Sequence, residues 1–305
     1  MQKFILSVTL IAACAVIVSC ENEHAPVDNE GMVRFTSGAT AAQTRVAIDP
    51  QGKSVWEKDD PVGIYMVKHG TKVVAEGADN IEYKASTAGE STSFASASTA
   101  VYYPKDETAR VDFIAYYPYN AAVSGFGYRV DVSNQASQTA IDLMWASADK
   151  QGTGYNKEDA RQGVAVNFTF THQLAKLIMN VTKDASVSGN VTAVSINHMC
   201  YLATYYLAEN NLAIGIDVMS FAPCTVTPGA LYEAILLPIS LNTDHTVTFT
   251  TDQGETFTWD MSKQISELKP GKIYTYDVTI MKYTVEATGS IAPWTVGSIG
   301  KGTAE

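Results

Sequence analysis

Cysteine is scarce in this chain. Four of the 305 residues are cysteine; Cys14 and Cys20 lie in the first twenty positions, which leaves Cys200 and Cys224 for the rest. Those two can pair in an oxidising compartment or stay as two thiols, and their spacing leaves both readings open. The five histidines (24, 69, 172, 198 and 245) stand alone, with no pair at metal-ligand spacing and no partner Cys motif, so a zinc site has no support. His172 reads as a hydrogen-bonded structural histidine.

There is no G-x-S-x-G, P-loop, dinucleotide fingerprint or EF-hand pattern. The stretch Gly297-Ser298-Ile299-Gly300-Lys301 lacks the P-loop spacing and the Ser or Thr after lysine. Carboxylate pairs such as Asp59-Asp60 and Glu158-Asp159 read as solvated loop charge, although the two carboxylates of a glycosidase need leave no local signature. No catalytic residue, metal ligand or cofactor is therefore expected, and an enzyme ranks last among the readings. Basic residues number 21 against 32 acidic ones, a net charge of −11. A surface this acidic repels phosphate backbones and argues against a nucleic-acid partner.

Long apolar runs are missing too. The longest, Phe4 to Val18, falls short of the roughly 20 residues that span a bilayer. Preceded by Lys3 and closed by Ser19-Cys20, it reads as a signal peptide over 1–19. Ile17, Ser19 and Cys20 resemble a bacterial lipobox, whose cysteine becomes a lipidated N-terminus. Acyl chains contribute about 0.8 kcal/mol per buried CH2, so a multiply acylated Cys20 would hold the protein on a membrane. Glu21 and Glu23 resemble the acidic tag that sends some lipoproteins of Bacteroidia to the cell surface.

What the chain has in quantity is short alternating apolar segments. Sixteen tyrosines with abundant Val and Thr favour strands. Met32 to Thr36 alternates with Val33 and Phe35 on one face, and the polar run from Ser37 to Gln43 reads as an exposed loop leading to Thr44-Arg45-Val46. Strands are expected over 62–67, 81–84, 91–95, 100–103, 111–117 and 140–146, with a loop or one helical turn over 155–162. Val164 to Phe170 alternates strictly, as a half-buried strand does. The second half gives strands over 174–181, 191–196, 202–207, 212–216 and 233–239, a hairpin around Asp252 to Glu255, a short helix over 262–268 and a strand over 274–280. The stretch from Tyr283 is extended and sticky. Many short strands with almost no helix indicate all-β sandwiches, one over 46–170 and one over 171–305. Trp145 and the tyrosines could form a sugar-stacking patch, though aromatics in such chains mostly fill cores.

An ordered set of segments then resembles the fimbrillin-like, Mfa-like lipoproteins. They are the lipobox at Cys20, Thr44-Arg45-Val46, Val62 to Met66, Val111 to Tyr119, Ile141 to Ala146, Val166 to Leu177, Leu268 to Tyr274 and Ile291 to Gly297. The resemblance implies two tandem transthyretin-like β-sandwich domains and a pilus subunit of Bacteroidia. Such a subunit is carried to the outer membrane as a lipoprotein and cut by an arginine-specific protease, after which it assembles with other pilus subunits by strand exchange. Carried over, the cut falls between Arg45 and Val46, and the lipidated segment 20–45 departs with an edge strand, Met32 to Thr36, anchored by Val33 and Phe35. Arg34 competes, but a residue inside a paired strand is a poor protease site. The tail from Tyr283 could donate a strand or complete its own domain. The alternative is a surface lipoprotein that binds glycans or host ligands without polymerising.

Overall fold

The computed structural model describes residues 30–38, 47–48 and 54–294. The first half contributes β1 (Phe35–Ser37), β2 (Ala47–Ile48), β3 (Ser54–Val55), β4 (Pro61–Lys68), β5 (Ile81–Ala85), β6 (Thr92–Ser96), β7 (Val111–Tyr117), β8 (Gly127–Asp131), β9 (Met144–Ala148), β10 (Val166–Phe168) and β11 (Thr171–His172). Two short helices interrupt them, α1 (Gln138–Ile141) and α2 (Lys157–Arg161). Eight of these strands form one sheet in the order β10-β1-β6-β5-β4-β7-β9-β11, and β2 pairs with β3 alone.

That order has a geometric consequence. β10 and β11 are the two ends of the sheet, yet Thr169 and Phe170 alone separate them in sequence. Three residue steps reach about 10 Å at most, so the sheet must roll until its ends meet, and β10 does pack against β9. The interior of the roll is the first core, where Trp56, Phe113, Phe168 and Phe170 are fully buried. The strict alternation over 164–170 is therefore longer than the strand it contains, β10, because the chain leaves the ladder at Thr169 and crosses to the other end of the sheet, where β11 starts at Thr171.

The second half contributes β12 (Ala175–Lys183), β13 (Val191–Cys200), β14 (Leu202–Tyr206), β15 (Asn211–Ile214), β16 (Val218–Phe221), β17 (Cys224–Thr227), β18 (Leu231–Leu236), β19 (Thr246–Thr251), β20 (Thr256–Asp260), β21 (Lys272–Met281) and β22 (Thr284–Pro293). A five-stranded sheet, β17-β18-β12-β21-β22, faces a four-stranded one, β16-β13-β19-β20. Their inward side chains, among them Leu177, Phe249, Trp259 and Tyr274, form the second core, as alternation on strands buried on one face requires.

A third sheet, β15-β14-β8, crosses between the halves by pairing β8 with β14 over Leu202↔Asp131 to Tyr206↔Gly127. A third buried cluster lies there, drawing Tyr65, Tyr116 and Val130 from the first half and Leu207, Ile235 and Trp294 from the second. Gln135, 3% exposed, acts as a strand residue through its side chain. Its Nε2 donates to the carbonyls of Val132 (2.6 Å) and Ile235 (2.8 Å), and its Oε1 accepts from the Ile235 N–H (2.8 Å).

Some expectations need correction. Residues 138–141 form α1 ahead of β9, so the strand expected over 140–146 starts late. Over 100–103 the one ladder contact among the described residues is a bridge from Met32 to Tyr102. The helix expected over 262–268 is a 3-10 turn over Met261–Lys263, capped by the Asp260 carboxylate accepting from the Ser262 N–H. β8 lies outside the expected strands although its buried Tyr128 and Val130 alternate with Arg129 and Asp131, whereas β16 and β17 have no alternating burial.

Candidate functional site

Among the expected site residues, Val33 and Phe35 of the removable strand and the two cysteines, Cys200 and Cys224, lie within the described structure. The chain turns at Gly31, whose φ of +91° suits glycine, and enters the sheet. The Val33 N–H donates to the Val101 carbonyl at 2.9 Å, and the Tyr103 N–H donates to the Gly31 carbonyl at 2.9 Å. On the other side the Val166 N–H donates to the Arg34 carbonyl at 2.8 Å. β1 then runs antiparallel to β6 (Phe35↔Phe94, Ser37↔Thr92) and parallel to β10 (Phe35↔Val166, Ser37↔Phe168).

The strand was expected at a sheet edge over Met32 to Thr36. It lies instead between two neighbours, with its regular ladder shifted to Phe35–Ser37. Its partner β10 comes from 131 positions further along, a pairing that no local pattern reveals. The consequence is that loss of β1 would leave two facing rows of unpaired backbone groups.

Period-2 geometry sends Val33, Phe35 and Ser37 inward, at 3%, 1% and 3% exposure. Phe35 sits in an aromatic box. Tyr83 and Phe113 meet it edge-on, with centroids at 5.0 and 5.2 Å, and Phe168 stacks on it at 5.6 Å. The box is itself held in place, since the Tyr83 hydroxyl accepts from the Val101 N–H at 2.8 Å. Outward, the Thr36 hydroxyl donates to the Asn167 Oδ1 at 3.1 Å and Arg34 is exposed. An open depression bounded by Phe94, Ser96, Ala100, Gly163 and Ala165 runs beside Met32 to Thr36. At the strand's entrance Arg161 bridges Glu30 and Glu107, and the Arg161 hydrogen bond holds the Glu107 carboxyl below its ordinary range. Exposed pairs of this kind contribute little.

Cys20, Arg45 and Val46 lie outside the described residues. Cys200 and Cys224 are free thiols, so the disulfide alternative is overturned. Cys200 pairs in register with Val218 at one end of the four-stranded sheet, and Cys224 lies opposite Glu233 in the five-stranded sheet. His172 is buried, with its Nδ1 2.9 Å from the Asp142 Oδ1 and its ring stacked 3.8 Å from that of Trp294. Trp145 is engaged as well, its indole N–H donating to the Leu207 carbonyl at 2.9 Å. From Thr284 to Pro293 the tail pairs along the whole of β21 as the outermost strand of its own sheet. Among the described residues, no group of three or more His, Cys, Asp or Glu is placed to hold a metal ion.

A profile of the family described as fimbrillin-like matches residues 44–294. The chain belongs to the fimbrillin-like family. A candidate fimbrium subunit of Bacteroides uniformis, Fim1C, is 32% identical over 308 residues, spanning 97% of this chain and 95% of the relative. The solved structure of a candidate cell adhesion protein from Bacteroides uniformis resembles this fimbrillin-like chain with a TM-score of 0.73 at 31% identity, over 88% of this chain and 100% of the other. The tip fimbrial protein Mfa3 from Porphyromonas gingivalis, with a C-terminal truncation, has a TM-score of 0.51 at 11% identity, over 86% and 99% of the two chains. That last likeness is one of fold alone. The fimbrillin-like protein is a structural pilus subunit, with a place on the cell surface and other pilus subunits as its partners.

Proposed function

We propose that this subunit reaches the outer membrane as a lipoprotein held by Cys20 after loss of residues 1–19, and that it assembles by strand exchange once an arginine-specific protease cuts after Arg45. Residues 20–45 then leave, β1 with them, and the body that remains consists of two sandwich units dividing near residue 171. A strand from a neighbouring subunit fills the vacated place.

The observation that carries this reading is the position of β1. It is paired on both sides and plugged into the first core through Val33 and Phe35, while the one link to the rest of the chain is the segment that contains Arg45. Burying each of those side chains stabilises by roughly 1.5–3 kcal/mol. The cut subunit is left with an exposed apolar slot and two open ladders, a template that an incoming strand can complete. Arg34 is poorly placed as the site, because its own carbonyl and the Val33 N–H are held in the sheet. The family profile also begins at residue 44, beyond β1.

The test is proteolysis of the purified chain with an arginine-specific protease, followed by N-terminal sequencing and electrophoresis. The expected product begins at Val46 and forms SDS-resistant ladders, and Arg45→Ala abolishes both. Assembly that proceeds without cleavage, or a cut product that stays monomeric, contradicts the proposal.

A further inference from the structure

The slot around β1 has unequal pockets, and their shapes say what kind of strand fits. We infer that the slot selects a strand with the order aliphatic, outward residue, aromatic, outward residue, small, and that residues 283–305 of this chain do not supply it. The inference rests on the strand-exchange reading and adds the identity of the partner segment.

The middle pocket demands an aromatic ring. Tyr83, Phe113 and Phe168 surround Phe35 with two edge-to-face contacts and one stack, geometry that rewards a ring beyond its buried area. The third pocket demands a small residue. Ser37 is 3% exposed, between Thr92 on β6 and Phe168 on β10, and a close-packed site penalises a larger side chain for the space it takes. The first pocket holds Val33 at 3% exposure inside the first core.

Residues 283–305 contain two aromatics, Tyr283 and Trp294, and each is followed two positions later by valine (Val285, Val296) where the slot holds serine. Trp294 is also preceded by Pro293, which cannot donate to a ladder. It is already engaged, its N–H donating to the Gly271 carbonyl at 2.6 Å and its ring stacked on His172. The tail of a second copy is therefore excluded as the occupant, and the slot takes a strand of different sequence.

The experiment has two arms. In the first, the chain cut after Arg45 and freed of its N-terminal fragment is titrated with labelled peptides covering residues 30–38, the same peptide with Phe35→Ala or Ser37→Val, and residues 290–298. The parent peptide is expected to bind, the Phe35→Ala peptide at least about 100-fold more weakly, and the other two at least about tenfold more weakly. Binding of the 290–298 peptide as tight as that of the parent overturns the inference, as does a Phe35→Ala peptide that loses nothing. In the second arm, Phe35→Ala and Ser37→Val are made in the intact chain, and both are expected to lower Tm. If no peptide binds, the parent included, strand exchange itself fails. Pocket selectivity is then decided by the intact variants, and wild-type Tm in both overturns it.

Discussion

Asp60 shows how a single residue reports on the fold. Burial raises its carboxyl from 3.8 to about 6, an effect partly offset by the Glu57 N–H, which donates to its Oδ2 at 2.6 Å. A carboxyl whose folded pKa is raised binds its proton more tightly in the native state. Its contribution is therefore fully present below about pH 4 and is lost as pH rises through about 6. Asp60→Asn keeps an acceptor for the Glu57 N–H and removes the titration. Urea unfolding at pH 4 and pH 7 is expected to show the variant flatter than the parent across that window, and more stable at pH 7 by on the order of 1 kcal/mol. Equal pH slopes in the two proteins would show that Asp60 is solvated.

Individual strands differ in how openly the sequence announces them. β4, β7, β12, β21 and the β19–β20 hairpin are legible because each pairs a clear apolar pattern with a buried face. β16 and β17 are not, since they are edge strands whose residues mostly face solvent and carry no pattern. Val33 and Phe35 are legible as inward residues, whereas the second neighbour of β1 is invisible because it is a distant, parallel partner. The tail is legible as extended, but its pairing with β21 is not, and β22 is fitted closely to its sheet. A Cβ on Gly289 would lie 2.3 Å from the Thr275 carbonyl oxygen and 2.6 Å from the Tyr276 ring. Gly289→Ala is expected to push β22 away from β21 and lower stability by about 1–3 kcal/mol, measured by thermal unfolding. An unchanged Tm would mean that β22 is only loosely attached.

At the scale of the whole molecule, the two halves share a core. The β8–β14 ladder, the Gln135 bridge and the cluster containing Tyr65, Ile235 and Trp294 make separate unfolding costly. One cooperative calorimetric transition is expected. Gln135→Leu strands the backbone N–H and carbonyl of Ile235, at about 1–3 kcal/mol for a buried group left unpaired, and is expected to split or broaden the transition. Two resolved transitions in the parent would mean that the shared core couples the halves weakly. A joined body would also give the proposed strand exchange a firm frame, because a filled slot in the first half would then load the second.

In the proposed assembly the place held by β1 empties and is refilled. Amide hydrogen exchange on β6 and β10 tests it most directly, in the intact chain, in the monomer cut after Arg45 and in the assembled ladder. Protection is expected in the first, loss of protection in the second and its return in the third. Protection on both strands that persists unchanged through cleavage and assembly would contradict it.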